Sequence, residues 1–292
     1  MSDKPFPPPY TTLGAMEIGM AFSTLLFGVV SLQTFNYYRN FPNDSWRLKA
    51  LVGAVWVLEL AHSICSWHGM FLVTVTFYGQ PSHILDPPVT IVLISLFAGI
   101  IVVLVQGFFC FRIYRLSARK WLAIFCFVLA VSPLVFSLRI LAIFVESGEF
   151  SALLQGTGKI LVTTATALVP VEHAAVAGVL IYYLLKMKQS NSFSQTRSMV
   201  DSIVLWTIET TLAATLMSVI ELIMFLTRND LVFLSFYVVH GKCESLHATR
   251  ASAIVSSRPA VVSNTLLTSL NGRDRFRDRN DLQASRNETY GL

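Results

Sequence analysis

The sequence predicts an all-α protein: a polytopic bundle of seven transmembrane helices, amino terminus outside and carboxy terminus cytoplasmic. Three observations carry this. The run VTIVLISLFAGIIVVLVQGFFCF, Val89 to Phe111, holds no formal charge and is closed by Arg112; at about 1.5 Å per residue it reaches about 34 Å as a helix, enough to cross roughly 30 Å of hydrocarbon. Hydrophobic residues make up 54% of the 292 and charged residues 13%, whereas a soluble chain devotes about a quarter of its residues to charge. Finally, Lys and Arg concentrate in alternate connections, as the positive-inside rule requires.

The proline-rich start, residues 1–12, is expected to be a short extracellular tail. No small-residue cleavage pattern ends the apolar run behind it, so it does not read as a signal peptide. The membrane domain is expected over 13–270. Its first span runs from about Leu13 to Tyr37, with Tyr37 and Tyr38 as interface anchors. The second follows Lys49 to about Val73 and holds Trp56, Glu59 and His62. FYGQPSHILDPP carries no Lys or Arg, and its prolines stop one helix and restart the next. The fourth span covers about Trp121 to Val145, with Pro133 and Arg139 inside. The fifth covers about Ile160 to Leu185, with Pro170, Glu172 and His173, and the sixth about Ser202 to Leu226, with Trp206, Glu209 and Glu221.

The seventh run is irregular. LVFLSFYVVH at 231–240 is too short to span as a helix, and GKCESLHATRASAIVSSRPA separates it from VVSNTLLTSL at 261–270. Cys243 to Val261 therefore reads as an insertion interrupting helix seven, with a re-entrant or broken seventh helix, its backbone satisfied by protein or water, as the alternative. Residues 271–292 are basic and polar, and are expected to form a disordered cytoplasmic tail.

Connections one, three and five hold Arg39, Arg47, Lys49; Arg112, Arg115, Arg119, Lys120; and Lys186, Lys188, Arg197. Connections two, four and six contribute only Lys159 and Arg228, which sets the orientation. The net charge of +5 resides largely in these loops and the tail. It suits anionic lipid headgroups, so membrane lipids are the expected partners and nucleic acid is not. The plasma membrane is the expected location. Cys65, Cys110, Cys126 and Cys243 show no metal or redox spacing.

LGAMEIG at 13–19, the pair Tyr37–Tyr38, LKALVGAVWVLELAHS at 48–63, Asp201 with Trp206 and IET at 208–210, and SNTLLTSLNGR at 263–273 together resemble the basidiomycete seven-span membrane family known as domain of unknown function 6534. The resemblance implies the fold and a membrane location, and brings no activity, cofactor or site residue with it. The segment Cys243 to Val261 departs from the family pattern, in which the SNTLLTSLN block follows a GK directly.

Ionisable residues within the spans are the candidate site. Counting about 1.5 Å per residue from Lys49, Glu59 lies about 15 Å deep and His62 about 20 Å, one helical turn apart on one face. Glu172 and His173 reach a similar depth, and Glu209 lies about 10 Å in. An ionised side chain at such depth costs roughly 2.5–3.5 kcal/mol, so these residues should face the bundle interior and find partners. Spans two, five and six would have to adjoin for the five to meet. Arg139 climbs about 27 Å from Trp121, toward Glu17 and Glu221, where an outer Arg–carboxylate cluster would bind an anion or lock three helices.

No cofactor motif occurs. HSICSWH at 62–68 and the Glu172–His173 pair make no recognised metal set, no HExxH, GxSxG or glycine-rich nucleotide loop is present, and Lys242 sits in a disrupted segment unsuited to holding retinal. The expected function is that of a receptor-like or sensory seven-helix protein with a small-molecule ligand. A small-molecule or proton-coupled transporter is the alternative, and a membrane-embedded enzyme comes third. Asn43 in NDS tests the orientation. It should carry no glycan in eukaryotic cells, while a sequon placed in FYGQPSHILDPP should be glycosylated, both read as gel mobility after glycosidase. A glycan on Asn43 of the unaltered chain would reverse the topology.

Overall fold

The computed structural model describes residues 9–78, 89–147, 152, 155–190, 194–228 and 232–256. Among them are seven α-helices: α1 (Pro9–Asn40), α2 (Trp46–Phe71), α3 (Val89–Ser117), α4 (Lys120–Ser147), α5 (Gly156–Ser190), α6 (Ser194–Thr227) and α7 (Val232–Ser256). A π-helical turn, Leu72–Thr76, extends α2. Six helices, α1 to α6, are long and apolar enough to cross a membrane. The helices, with the π-helical turn after α2, contain the six runs read from the sequence, although the spans begin at Leu93 in α3 and at Thr207 in α6. The expected amino-terminal tail up to residue 8, the far part of the proposed insertion at 257–261, and the tail 271–292 lie outside the described residues.

The helices turn their large apolar side chains outward. On α1, Ile18, Phe22, Leu25, Val29 and Leu32 form an exposed stripe, while Gly19, Ser23, Thr34 and Tyr37 are buried. Exposed Phe, Leu, Ile and Val recur along the other spans too. Water would not tolerate so much contiguous apolar surface on a monomer, and lipid does. The chain is a multi-pass membrane protein.

Consecutive helices pack side by side, and α7 closes the ring against α1, its most extensive partner. Inside the ring, α3 also touches α5 and α7, and α7 also touches α2. The middle of the bundle therefore belongs to α3 and α7. Among the described residues α2 makes no substantial contact with α5 or α6, so the condition that spans two, five and six adjoin is not met: α3 and α7 stand between them.

α7 crosses the Lys242–Cys243 junction as continuous helix and reaches Ser256, where the sequence suggested a break. Polarity was the reason for expecting one. In the structure the polar residues Lys242, Glu244, Ser245 and Thr249 are buried against neighbouring helices, so the helix needs no apolar sheath of its own.

Local chemistry fixes the connections. Tyr37 Oη donates to Asp44 Oδ2 at 2.8 Å and Tyr38 Oη to the Lys49 carbonyl at 2.7 Å, so the pair read as interface anchors ties the α1–α2 turn. Pro133 removes the N–H that would bond the Leu129 carbonyl inside α4, and Ser132 Oγ takes that carbonyl at 2.7 Å. Trp56 Nε1 donates to Ser31 Oγ at 3.0 Å and Trp67 Nε1 to Thr24 Oγ1 at 3.1 Å, joining α1 to α2.

Close approach of α1 to α7 depends on Gly19. A Cβ there would fall 2.6 Å from Ser235 Cβ and 2.8 Å from Ser235 Cα, and since part of the obstacle is backbone, a rotamer change cannot relieve it. With buried Ser23 one turn on, this is the small-residue interface by which membrane helices associate without a hydrophobic driving force. Gly19→Ala should cost about 1–3 kcal/mol of stability through overpacking, read as a lower melting temperature of the purified protein. Gly28→Ala, where a Cβ would meet nothing within 4 Å, is the matched control and should be neutral or slightly stabilising.

Candidate functional site

The interior polar residues form two groups on opposite sides of α7. Helical geometry explains the split: His240 and Glu244 are one turn apart on one face, while Lys242 points about 200° away from His240. One lysine therefore serves α2, and the histidine and carboxylate serve α5 and α6.

On the α2 side, Lys242 is fully buried and pairs with the Glu59 carboxylate. Its ammonium also donates to the Glu59 carbonyl at 3.0 Å and Ser63 Oγ at 2.8 Å, which uses all three donors. The Phe27 ring lies 5.1 Å from Nζ, offering a cation–π contact from α1, and Phe27 in turn stacks on Trp56 at 6.3 Å. Gly241 faces His62 here, with room for a Cβ, which would stand 4.0 Å from His62 Nε2. His62 is buried, and neither ring nitrogen has a hydrogen-bond partner among the described residues.

On the other side, His173 Nε2 lies 2.6 Å from Glu244 Oε1, and His240 Nε2 lies 3.7 Å from the same oxygen. His173 Nδ1 sits 2.7 Å from the Val169 carbonyl. His240 Nδ1 faces Glu221 Oε2 at 3.6 Å. All four side chains are buried. One ligand atom each from His173, His240 and Glu244 lie within 4.8 Å of one another, close enough to converge on one ion.

Two cavities meet at this cluster. The larger, of about 180 Å³, is lined from all seven helices, by residues that include Met20, Ser66, Val102, Pro133, Thr166 and Phe225, with Glu221, His240 and Glu244 supplying its charged wall. It occupies the half of the bundle in which α1 begins. The smaller, of about 40 Å³, lies toward the opposite half between Gln106, Phe109, Leu180 and Thr211, and is bounded by His173 and Glu244. Glu244 lines both. Lys242 lines neither, being turned toward Glu59.

Of the residues singled out in the sequence, Glu59, His62, Glu172, His173 and Glu221 are buried. They do not form one layer. Glu59 and His62 meet α7 on one side, and His173 and Glu221 on the other. Glu172, although adjacent to His173, lies on the α5 face of Val176 and Leu180, which pack against Cys110 and Cys126; its carboxylate has no hydrogen-bond partner among the described residues. Glu209 is exposed on α6, contrary to the expectation that it faces inward. Arg139 is exposed as well and lies 3.8 Å from Glu146 on its own helix, so the expected outer cluster with Glu17 and Glu221 does not form: Glu17 is exposed and Glu221 turns to His240.

His240, Lys242 and Glu244 were missed as site residues. Their signal was present in the two polar faces of HGKCE, but those charges lowered the hydropathy of the segment and made it look unlike a span.

A family model described as a family of unknown function (DUF6534) matches residues 173–275. The match begins at His173, takes in Glu221, His240, Lys242 and Glu244, and covers less than half of the chain. No curated protein and no solved structure matches the chain.

The Lys242–Glu59 pair makes a testable demand. Lys242→Met leaves the Glu59 carboxylate buried without its cation and should cost about 3–5 kcal/mol. Combining it with Glu59→Leu should recover most of that loss, measured as thermal unfolding in detergent. A double variant as unstable as the single would mean that the pair does not carry the α2–α7 contact.

Proposed function

We propose that the protein is a receptor-like seven-span membrane protein whose larger cavity binds a small, mainly apolar molecule with a hydrogen-bonding or cationic head. In this reading α7 is the seventh span, the amino terminus and the cavity face the outside, and the plasma membrane is the location. The observation that carries the proposal is the cavity itself: it touches every helix and places two carboxylates and an imidazole on one side of otherwise largely apolar walls. An occupant would bear on all seven helices at once, so its binding energy could favour one arrangement of them over another. An apolar cavity of about 150 Å³ accommodates benzene, which sets the size class for one of about 180 Å³.

Transport is the second reading, supported by the smaller cavity beyond Glu244. A route through both halves would require the His173–Glu244 contact, at the boundary of the two cavities, to open. The far smaller volume on that side favours the one-sided pocket.

The test uses purified full-length protein and a panel of C6 to C12 primary alcohols, amines and carboxylic acids. At about 100 times its dissociation constant a ligand stabilises by about 2.7 kcal/mol, so binders should raise the melting temperature measurably. Ala98→Phe, which fills the cavity from α3, should remove the shift. A panel without a stabilising member, or a shift unchanged in Ala98→Phe, would remove the cavity as the binding site. Movement of a binder across proteoliposomes would replace the receptor reading with transport.

A further inference from the structure

We propose that His173, His240 and Glu244 form a binding site for a divalent transition-metal ion of the Zn²⁺ class, with an open coordination position facing the larger cavity. The ligand set is the first reason. Two imidazoles and one carboxylate hold zinc in four-coordinate sites that leave one position free, while Mg²⁺ and Ca²⁺ prefer all-oxygen cages.

The groups behind the ligands are the second. A metal-bound histidine presents one ring nitrogen to the ion and donates the other N–H to a carbonyl or carboxylate. Here both histidines have such an acceptor on the Nδ1 side: the Val169 carbonyl at 2.7 Å for His173 and Glu221 Oε2 at 3.6 Å for His240. The first contact is a hydrogen bond, and a small rotation of the carboxylate makes the second one. With both protons on Nδ1, the two Nε2 lone pairs and the Glu244 carboxylate are directed at one region, where acceptors face acceptors. His240 Nε2 is buried without a hydrogen-bond partner among the described residues. A cation resolves that arrangement, and the nearest lysine, Lys242, is engaged by Glu59 on the opposite face of α7.

Distances and charge agree. Donor atoms about 2.0–2.1 Å from a tetrahedral ion stand roughly 3.3 Å from one another. The contacts to Glu244 Oε1 are 2.6 Å and 3.7 Å, so one must widen and the other close by well under an ångström, while the two imidazole donors, within 4.8 Å of each other, must approach by up to about 1.5 Å to reach the tetrahedral spacing. A divalent ion also balances the two carboxylates, Glu221 and Glu244, in a region where uncompensated charge is costly. The open position falls on the cavity side because Glu221, His240 and Glu244 line the larger cavity. The site goes beyond the receptor reading and stands whether the occupant of the cavity is a signal or a cargo.

The test is metal binding by the full-length protein, purified in detergent through a tag without histidine and stripped with EDTA. After incubation with Zn²⁺ and gel filtration, mass spectrometry should find about one zinc per chain. Excess Mg²⁺ and Ca²⁺ should not displace it. His173→Gln, His240→Gln and Glu244→Gln should each weaken binding by about tenfold or more, while Glu209→Gln, on the exposed face, should bind as the unaltered chain does. Cu²⁺ bound to the unaltered protein should show coupling to two imidazole nitrogens by electron paramagnetic resonance, a readout that holds even if a variant fails to fold. Substoichiometric zinc, affinity retained in all three ligand variants, or a Cu²⁺ spectrum without two nitrogen ligands would each overturn the site and leave a His173–Glu244 ion pair in its place.

Discussion

A lysine ammonium buried in an apolar bundle is the constraint around which this structure is arranged. Lys242 has no route to water, and a charge so placed persists only with a counter-ion and with its remaining donors engaged. Glu59 and Ser63 supply both from α2, and Phe27 supplies the face of a ring from α1. Satisfying one side chain thus fixes three helices. The close crossing at Gly19 and Ser235 follows the same geometry, because α1 has to lie against α7 for Phe27 to reach Nζ. The interior position of α7 is then a requirement: a helix bearing His240, Lys242 and Glu244 could not face lipid on either side of the lysine.

Separation of the two faces of α7 has a chemical consequence. The α2 face is closed around Lys242, whose three donors are all engaged. On the α5 and α6 face, by contrast, imidazoles and carboxylates gather beside two cavities at a mixture of short and long distances. The first arrangement suits a structural fastening, and the second suits a site that changes its contacts when something binds. Lys242, the residue with the most conspicuous chemistry in the sequence of α7, belongs to the fastening.

Six spans could be read from the sequence because length and lack of charge are one-dimensional properties, and a run such as Val89 to Phe111 displays them without regard to its neighbours. Depth could be read in the same way, which is why Glu59, His62, Glu172 and His173, all buried, were recognised as interior, whereas Glu221, placed at the outer interface, is buried as well. Direction could not. Each residue turns the helix by about 100°, so which way a side chain points depends on which helices stand beside it, and that is tertiary information. Glu209 and Arg139 fail on this ground, since both lie on outward faces. Glu172 and His173 show the limit most sharply, being adjacent in sequence and directed at different neighbours. The partners on α7 were hidden for another reason. Hydropathy averages around the helix circumference, so a helix surrounded by other helices and polar on two faces reads as a poor span, although each face is separately satisfied.

The shared lining at Glu244 links the two functional readings through a single side chain. If an occupant of the larger cavity, or an ion held with His173 and His240, fixes the Glu244 carboxylate, then the boundary with the smaller cavity is fixed with it. Binding on one side would then be felt as a repositioning of α5 against α7, the pair that His173 and Glu244 join, without any passage of the ligand. Transport demands the reverse, because Glu244 must leave His173 for the two cavities to communicate. A divalent ion at this point opposes that separation by tying the carboxylate to imidazoles from both helices. An ion held there would therefore work against the separation that transport needs, whatever occupies the cavity.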